Sequence, residues 1–302
     1  MTRSRIASIS GAVVSLLALA SQASGQEATL RLKFREGEVQ KVKMAGTMSF
    51  SQGEVSFSMQ LVFYMTKKTK KIEGDVATIE TRCTRVTGKM RSPMGGEDIT
   101  YDSDKDDPSL GMMFQNAGAM VGKTTLTKLD ALGNVLETKA VGEGAEAAPE
   151  NELQKVMQMI GTQLPKDAVK AGFEWKQDTK TTLPRMGEVT TKIANKITSV
   201  EGDLVKSSFE GTIDITQKKP AEGTQTPEEA GEDVPPPFKD VKFTGTTEFD
   251  HARGVHVRKT AKVSMTMNLM GSDVPIDIDQ TEELLKVLTE EETKETKEGP
   301  GK

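Results

Sequence analysis

Cysteine is almost missing from this chain: Cys83 stands alone in 302 residues. One thiol cannot close an internal bridge, so a disulfide framework is excluded, and so is a Cys-rich zinc site. Two histidines leave little for a His-based catalytic or metal centre. Aromatic residues make up only 4% of the chain, with one Trp and two Tyr. A basic excess is also lacking: 40 Lys and Arg face 45 Asp and Glu, a net charge of −5. That balance argues against binding nucleic acid. Hydrophobic residues are 35% of the chain, and adding its 27 glycines, about 9%, gives about 44%. This lies just under the roughly 45–50% of an average globular domain, so the core is lean.

The first 25 residues are different in kind. Arg3 and Arg5 form a short basic start, residues 6–20 are small or apolar without charge, and Ser21-Gln22-Ala23-Ser24-Gly25 is small and polar. That order is the signature of a secretory signal peptide over 1–25. The apolar run of about 15 residues is shorter than the roughly 20 needed to span a bilayer, which weighs against an uncleaved anchor. Cleavage can follow Ala20, Ala23 or Gly25, with the last two favoured. No later segment is long and apolar enough to be a transmembrane span. Removal of Arg3 and Arg5 leaves 38 basic against 45 acidic residues, a net charge of −7. The expectation is a periplasmic or secreted protein, cleaved near residues 23–25. In such an oxidising place Cys83, within Thr81-Arg82-Cys83-Thr84-Arg85, is expected to be a buried strand residue. A reactive thiol or an intermolecular disulfide are the alternatives.

What the chain has is alternation of period two, the pattern of half-buried strands. Val55, Phe57, Met59, Leu61, Phe63 and Met65 share one face, as do Val42, Met44, Gly46, Met48 and Phe50. Ala77, Ile79, Thr81 and Cys83 share a parity, then Val86, Gly88 and Met90 take the other, which places a bulge near Thr84 or Arg85. Later runs are Val189, Ile193, Ile197; Val205, Phe209, Ile213, Ile215; Val241, Phe243, Phe249; and Val255, Val257, Ala261, Val263, Met265, Met267, Leu269. Two short helices are expected to cover the apolar face, over 109–121 and over 151–164 between Pro149 and Pro165. Residues 217–237 carry almost no large apolar side chain and read as a disordered insertion between two strands.

A faint internal repeat runs through the chain. Glu73-Gly74-Asp75-Val76 is echoed by Glu201-Gly202-Asp203-Leu204, and Leu129-Asp130 through Gly133 by Phe249-Asp250 through Gly254. The organisation expected is a signal peptide over 1–25 and a first β meander with a short helix over 26–148. A helix plus a second β meander follow over 149–288, interrupted by 217–237, with a charged tail over 289–302.

Several motifs tempt and fail. Ala117-Gly118-Ala119-Met120-Val121-Gly122-Lys123-Thr124 resembles a relaxed phosphate loop. The chemistry needs a strand before the loop and a helix after it, and here the order is reversed, so no nucleotide site is expected. Asp102-Ser103-Asp104-Lys105-Asp106-Asp107 begins like a calcium loop, but the required Gly is Asp107 and the required Glu is Met113. His251 and His256 flank a hairpin turn with no neighbouring metal set and are expected to be surface residues. Met157-Gln158-Met159 and Met265-Thr266-Met267 have the spacing of soft Cu(I) sites. Core packing and an adaptable apolar groove are the competing readings, because Met also fills strand faces elsewhere. No Gly-x-Ser-x-Gly is present, and no Ser has a His near it in sequence.

Leu30-Arg31-Leu32-Lys33-Phe34-Arg35-Glu36-Gly37-Glu38, Thr84-Arg85-Val86, Tyr101-Asp102-Ser103-Asp104, and Met120-Val121-Gly122-Lys123 before Gly133-Asn134-Val135 carry one resemblance. Together with the signal peptide, they resemble a family of uncharacterised exported bacterial proteins, a domain of unknown function. The resemblance covers most of the chain after the leader and implies no activity, substrate or catalytic residues. The layout, though not the residues, is similar to the periplasmic half-barrels that carry lipoproteins or lipids.

The fold class expected is therefore mainly β: long antiparallel strands in two related meanders, a half-barrel or open curved sheet, with two short covering helices. The function expected is a non-enzymatic envelope protein with no cofactor and no metal. It binds an apolar ligand or a lipidated partner (lipid, lipoprotein or another envelope protein) in a groove lined by Met44, Met48, Met59, Met65, Met113, Met265 and Met267. The alternatives are a structural or interaction module with a fully packed core, and an uncharacterised hydrolase.

Overall fold

The computed structural model describes residues 26–52, 55–91, 97–105, 111–142, 160, 163–183, 187–216, 238–269, 272–289 and 292. The expected signal peptide, the expected insertion 217–237 and all but Thr289 and Glu292 of the expected tail lie outside the described residues.

Among the described residues the alternating runs form twelve strands. The first half holds β1 (Val39–Gln52), β2 (Val55–Glu73), β3 (Val76–Arg91), β4 (Ile99–Asp102), β5 (Thr124–Asp130) and β6 (Val135–Val141). The second holds β7 (Glu174–Leu183), β8 (Gly187–Glu201), β9 (Leu204–Thr216), β10 (Phe238–Asp250), β11 (Val255–Leu269) and β12 (Ser272–Leu288). All belong to one antiparallel sheet in the order β6-β5-β3-β2-β1-β12-β11-β10-β9-β8-β7, with β4 paired to β3. One meander runs outward from β1 and the other inward to β12, and the β1–β12 ladder joins them at the middle. The outermost strands, β6 and β7, are not paired to each other, so the sheet is open.

Side-chain parity gives this sheet one apolar face. A single register row runs Met90, Met59, Met48, Ile278, Val263, Phe243, Gly211, Ile193, each opposite the next. The other face carries cross-strand ion pairs such as Lys196–Glu174 at 2.9 Å and Lys128–Glu137 at 2.7 Å. Pairs this exposed contribute little stability, and they keep that face in water.

The expected bulge is present. Tyr64 pairs with Arg85 but Met65 pairs with Cys83, so Thr84 is the extra residue. It brings Cys83 and Val86 onto the same apolar face despite their opposite parity in sequence, and both are buried. The repeat is also built into the structure. Gly74 and Gly202 open two-residue hairpin turns at φ 61 and φ 59, and Gly at a positive φ in the first turn position is the type II′ pattern. The likeness extends to the segment before each half. Gly37 N–H donates to Thr69 of β2 as Gly172 N–H donates to Ile197 of β8, at 2.9 and 2.8 Å.

Those two segments, 26–38 and 163–173, cross one end of the sheet and show how strongly it is curled. Leu32 N–H donates to the Ala131 carbonyl after β5, and the next N–H, Lys33, donates to the Gly254 carbonyl before β11. The strands β5 and β11 are second and seventh in the sheet order, which is about 24 Å in a flat sheet. Two consecutive residues, about 3.8 Å apart at Cα, touch both only if the sheet closes into a deep trough with its apolar face inside. A cluster of Ala28, Leu30, Leu164, Val169, Ile197, Val205 and Phe249 seals this end, and Leu132 packs against it. A second cluster, including Phe209, Phe243, Val263, Met265 and Ile276, fills the trough under the second meander.

One of the two expected covering helices is present among the described residues. This is α1 (Gly111–Gly118), shorter than the 109–121 anticipated. It drives Phe114 onto Gly88 of β3 and stacks it on Tyr101 at 5.2 Å. The helix expected over 151–164 lies outside the described residues apart from Ile160, Gln163 and Leu164, which are not helical.

Candidate functional site

The trough encloses a cavity of about 220 Å³ between the crossing segment and the sheet. Leu32 and Phe34 of the segment face Val42 of β1, Ile79 of β3, Leu129 of β5 and Leu284 of β12. Such a wall is expected of an apolar trough. Its floor is not, because Lys67 of β2, Glu282 of β12, and His256 and Lys259 of β11 also line it.

The alternation of the strands puts each of these on the apolar face. Lys259 is directly opposite Glu282, which is opposite Met44, which is opposite Phe63. Lys67 follows Phe63 and Met65 on the same parity of β2. His256 reaches the face by a bulge: the β10–β11 register shifts between Glu248 and Phe249, so that His256 stands opposite Phe249. Its ring meets Phe249 edge-on at 5.0 Å.

The charges are unevenly matched. Lys67 Nζ is paired with Glu282 Oε1. The Lys67 charge first, and its hydrogen bond after the cost of burial, hold the Glu282 carboxyl down at about 2. Lys259 Nζ donates to the Ile160 carbonyl at 2.9 Å and lies 5.5 Å from the Phe209 ring centre. Burial lowers its affinity for the proton. Burial likewise pushes His256 down to about 4, helped by the positive charge of Lys259. The His256 Nδ1 atom is buried and has no hydrogen-bond partner among the described residues. Lys259 and His256 thus both line the cavity, and each keeps hydrogen-bonding capacity unused among the described residues.

His256 is therefore a correction. The sequence reading made it a surface hairpin residue, and the bulge turns it inward. His251 stays at the turn, with Nε2 3.2 Å from the Gly202 carbonyl oxygen. Lys67, Glu282 and Lys259 were missed altogether, although a signal existed. Lys259 interrupts the odd-numbered stripe from Val255 to Leu269, and Lys67 continues the stripe from Val55 to Met65. A charge at an apolar parity position is the mark of a polar group inside.

Of the methionines picked out by sequence, Met44, Met48, Met59 and Met65 stand half-buried on the trough face of β1 and β2, with Met48 directly opposite Met59. Met265 is buried at 3% exposure within the second cluster, and Met267 is half-buried beside it. The side chain of Met113 lies outside the described residues. Gln280 Nε2 donates to Met44 Sδ at 3.2 Å.

The failed motifs have plain structural roles. Gly118 ends α1, Gly122 turns the chain at φ 80, and β5 follows, so the phosphate-loop lookalike is a helix-to-strand connection. Asp102 takes the Arg85 guanidinium through both oxygens, at 3.0 and 2.7 Å, and Asp104 pairs with the same guanidinium at 3.1 Å. The acidic turn is an arginine clasp that holds β4 against β3. Cys83 is buried opposite Met65, and desolvation raises its thiol above the usual range. Among the described residues no group of three or more His, Cys, Asp or Glu is placed to hold a metal ion. Nor is any helix there long and apolar enough to cross a membrane.

No family model matches the sequence, and no curated protein matches it. Among solved structures the chain is similar to one described as "Lipid-protein interactions in lipovitellin", with a TM-score of 0.48 and 11% identity. The match covers 85% of this chain and 26% of that one, so this chain spans about a quarter of that protein's length.

Proposed function

We propose that the protein is an exported, non-enzymatic protein, periplasmic or secreted, that takes an apolar chain into the trough of its curled sheet. The carrying observation is the run of half-buried methionines, Met44, Met48, Met59 and Met65, along the concave face, which also holds a cavity of about 220 Å³ whose lining begins at Val42 and Lys67 and includes none of the four. A sheet with one apolar face must cover it, and a fully packed core would bury these side chains as it buries Val86 and Val263 at 0% and 1% exposure. Methionine suits such a surface because its unbranched, polarisable side chain adapts to ligands of different shape. Export rests on the leader-like residues 1–25. The test is native mass spectrometry and solvent extraction of the protein purified from its own host. An apolar molecule at one per chain supports the reading, and an empty protein that also ignores added acyl ligands overturns it.

A second reading, an interaction module, is favoured by the edge strand β6, where Val135 and Leu136 are 62% and 57% exposed. An unpaired edge with apolar side chains is a template for another strand. Crosslinking from β6 to a partner, with the trough empty, would select it.

A further inference from the structure

We propose that the charged floor of the trough is a seat for a single carboxylate, so that the apolar ligand is a long-chain fatty acid with its head at Lys259 and its chain along the methionine wall. This inference rests on the apolar-ligand reading and names the ligand class of the same site.

The geometry supplies the head site. Lys67 and Glu282 satisfy each other, which leaves Lys259 as the cation without an ion-pair partner among the described residues. Its ammonium has three donors, and its hydrogen bond among the described residues is the one to Ile160. Counting both lysines as charged and His256 as neutral, the cluster sums to one positive charge. A buried charge without a partner is costly, and a carboxylate on Lys259 removes that cost while forming a charge-assisted hydrogen bond. Burial and the charge of Lys67 lower the proton affinity of Lys259 while Glu282 opposes them, and an anion beside the ammonium would act in the same sense as Glu282. A phosphate monoester carries about −1.5 to −2 charges, more than the cluster balances.

The register supplies the track. From Lys259 the row passes through Glu282 to Met44, Phe63 and Val86. From Met44 the apolar face of β1 continues through Gly46 and Met48 to Phe50, which stacks on Phe57 at 4.9 Å. Those six residue steps extend about 20 Å at about 3.3 Å each. One acyl chain reaches half of a bilayer core of about 30 Å, so a long chain with its head at Lys259 passes Met44 and ends within this wall, short of its rim.

The experiment compares oleate, oleyl alcohol and phosphatidylglycerol vesicles as ligands of the delipidated full-length protein, by displacement of a fluorescent acyl probe. Oleate is expected to bind about 10- to 100-fold more tightly than oleyl alcohol, the range of one charge-assisted hydrogen bond. Lys259→Met is expected to abolish that preference and Lys259→Arg to keep most of it. The comparison of acid with alcohol in the unaltered protein needs no variant, so a misfolded Lys259→Met leaves the test intact. Equal affinity for acid and alcohol would overturn the carboxylate seat while leaving the apolar-ligand reading standing. Capture of phosphatidylglycerol in preference to oleate would also overturn it. Failure to bind any of the three would overturn the apolar-ligand reading itself.

Discussion

The ring of Phe209 on β9 lies in the space a side chain at Gly245 on β10 would occupy: a Cβ there would fall 2.3 Å from Cζ of the ring. The two residues are directly opposite in the ladder, and Phe243 bears the same relation to Gly211 one row away. Gly245 thus lets a large ring lie flat across the sheet, and Lys259 rests over that ring.

Gly245→Ala should therefore be costly. Besides meeting Phe209, the new Cβ would come 2.1 Å from the Thr260 carbonyl oxygen, which is backbone and cannot swing away. Overpacking of this kind costs about 1–3 kcal/mol. The urea midpoint should drop accordingly. A midpoint equal to that of the unaltered protein would mean that the strands separate easily at this point, contrary to the packing described.

Arg31 ties the two crossing segments together. Its guanidinium donates to the carbonyls of Leu30 at 2.6 Å, Pro165 at 2.8 Å and Lys166. Arg31→Ala should cost about 1.5–3 kcal/mol, the range for hydrogen bonds from a charged group. Arg31→Lys should recover only part of it, because an ammonium cannot reproduce the guanidinium fork. Hydrogen exchange locates the effect. The paired amides of Ala28 and Val169, at 2.9 and 2.8 Å, should lose protection first in the variant. Unchanged protection there would show that the segments hold without the clasp.

Most of the fold was legible because strand parity is a local property. The stripe from Val55 to Met65 specifies its face without reference to any other strand, and the parity switch around Thr84 announces its bulge. The turn pairs Gly74-Asp75 and Gly202-Asp203 reveal the repeat for the same reason. The candidate site was less legible because it is assembled from four registers at once. Lys67, Lys259 and Glu282 are separated by up to 215 residues, and only the ladders through β1 and β12 bring them together. Lys259 could have been noticed as a charge in an apolar stripe. His256 could not, because the extra residue that turns it inward is Val257 of β11, opposite the step from Glu248 to Phe249, and Val257 continues the apolar alternation from Val255 without a break.

Met48 and Met59 face each other at the centre of the trough. Replacing both with Thr keeps a strand-favouring residue while removing much of the apolar contact surface. Losing about 60 Å² of ligand contact at about 25 cal/mol per Å² is worth about 1.5 kcal/mol, or about tenfold in affinity. Titration with an acyl probe should show that loss for the Met48→Thr, Met59→Thr protein. The paired replacement Lys192→Thr, Asp214→Thr on the opposite face of the sheet should bind as before. Equal weakening by the two would place the ligand elsewhere.

Acid should weaken the fold in two adjoining steps, and the two groups responsible can be separated. His256 is held at about 4 against an ordinary 6.5 by burial and by Lys259, with Lys67 adding to the positive side and Glu282 opposing. The unfolded chain takes up this proton below pH 6.5, while the folded chain resists it until about 4. The stability present in full above pH 6.5 is therefore lost as pH falls from 6.5 toward 4, by up to about 3 kcal/mol at 1.36 per pKa unit. Glu282 is held at about 2 against an ordinary 4.5. Its contribution is complete above pH 4.5 and is lost as pH falls toward 2, with a size on the order of 2 kcal/mol for a pair about a third exposed. His256→Phe should flatten the first step and leave the second, and should not destabilise the protein at pH 7, since the buried Nδ1 has no partner to lose among the described residues. Glu282→Gln should be weaker at pH 7, and the gap to the unaltered protein should narrow below pH 4.5 and close as pH approaches 2. Urea midpoints at pH 7, 5.5, 4 and 2.5 for the three proteins decide the assignment. If His256→Phe loses stability between pH 6.5 and 4 as steeply as the unaltered chain, the imidazole is not the group that resists the proton, and the floor of the trough is wetter than its geometry implies.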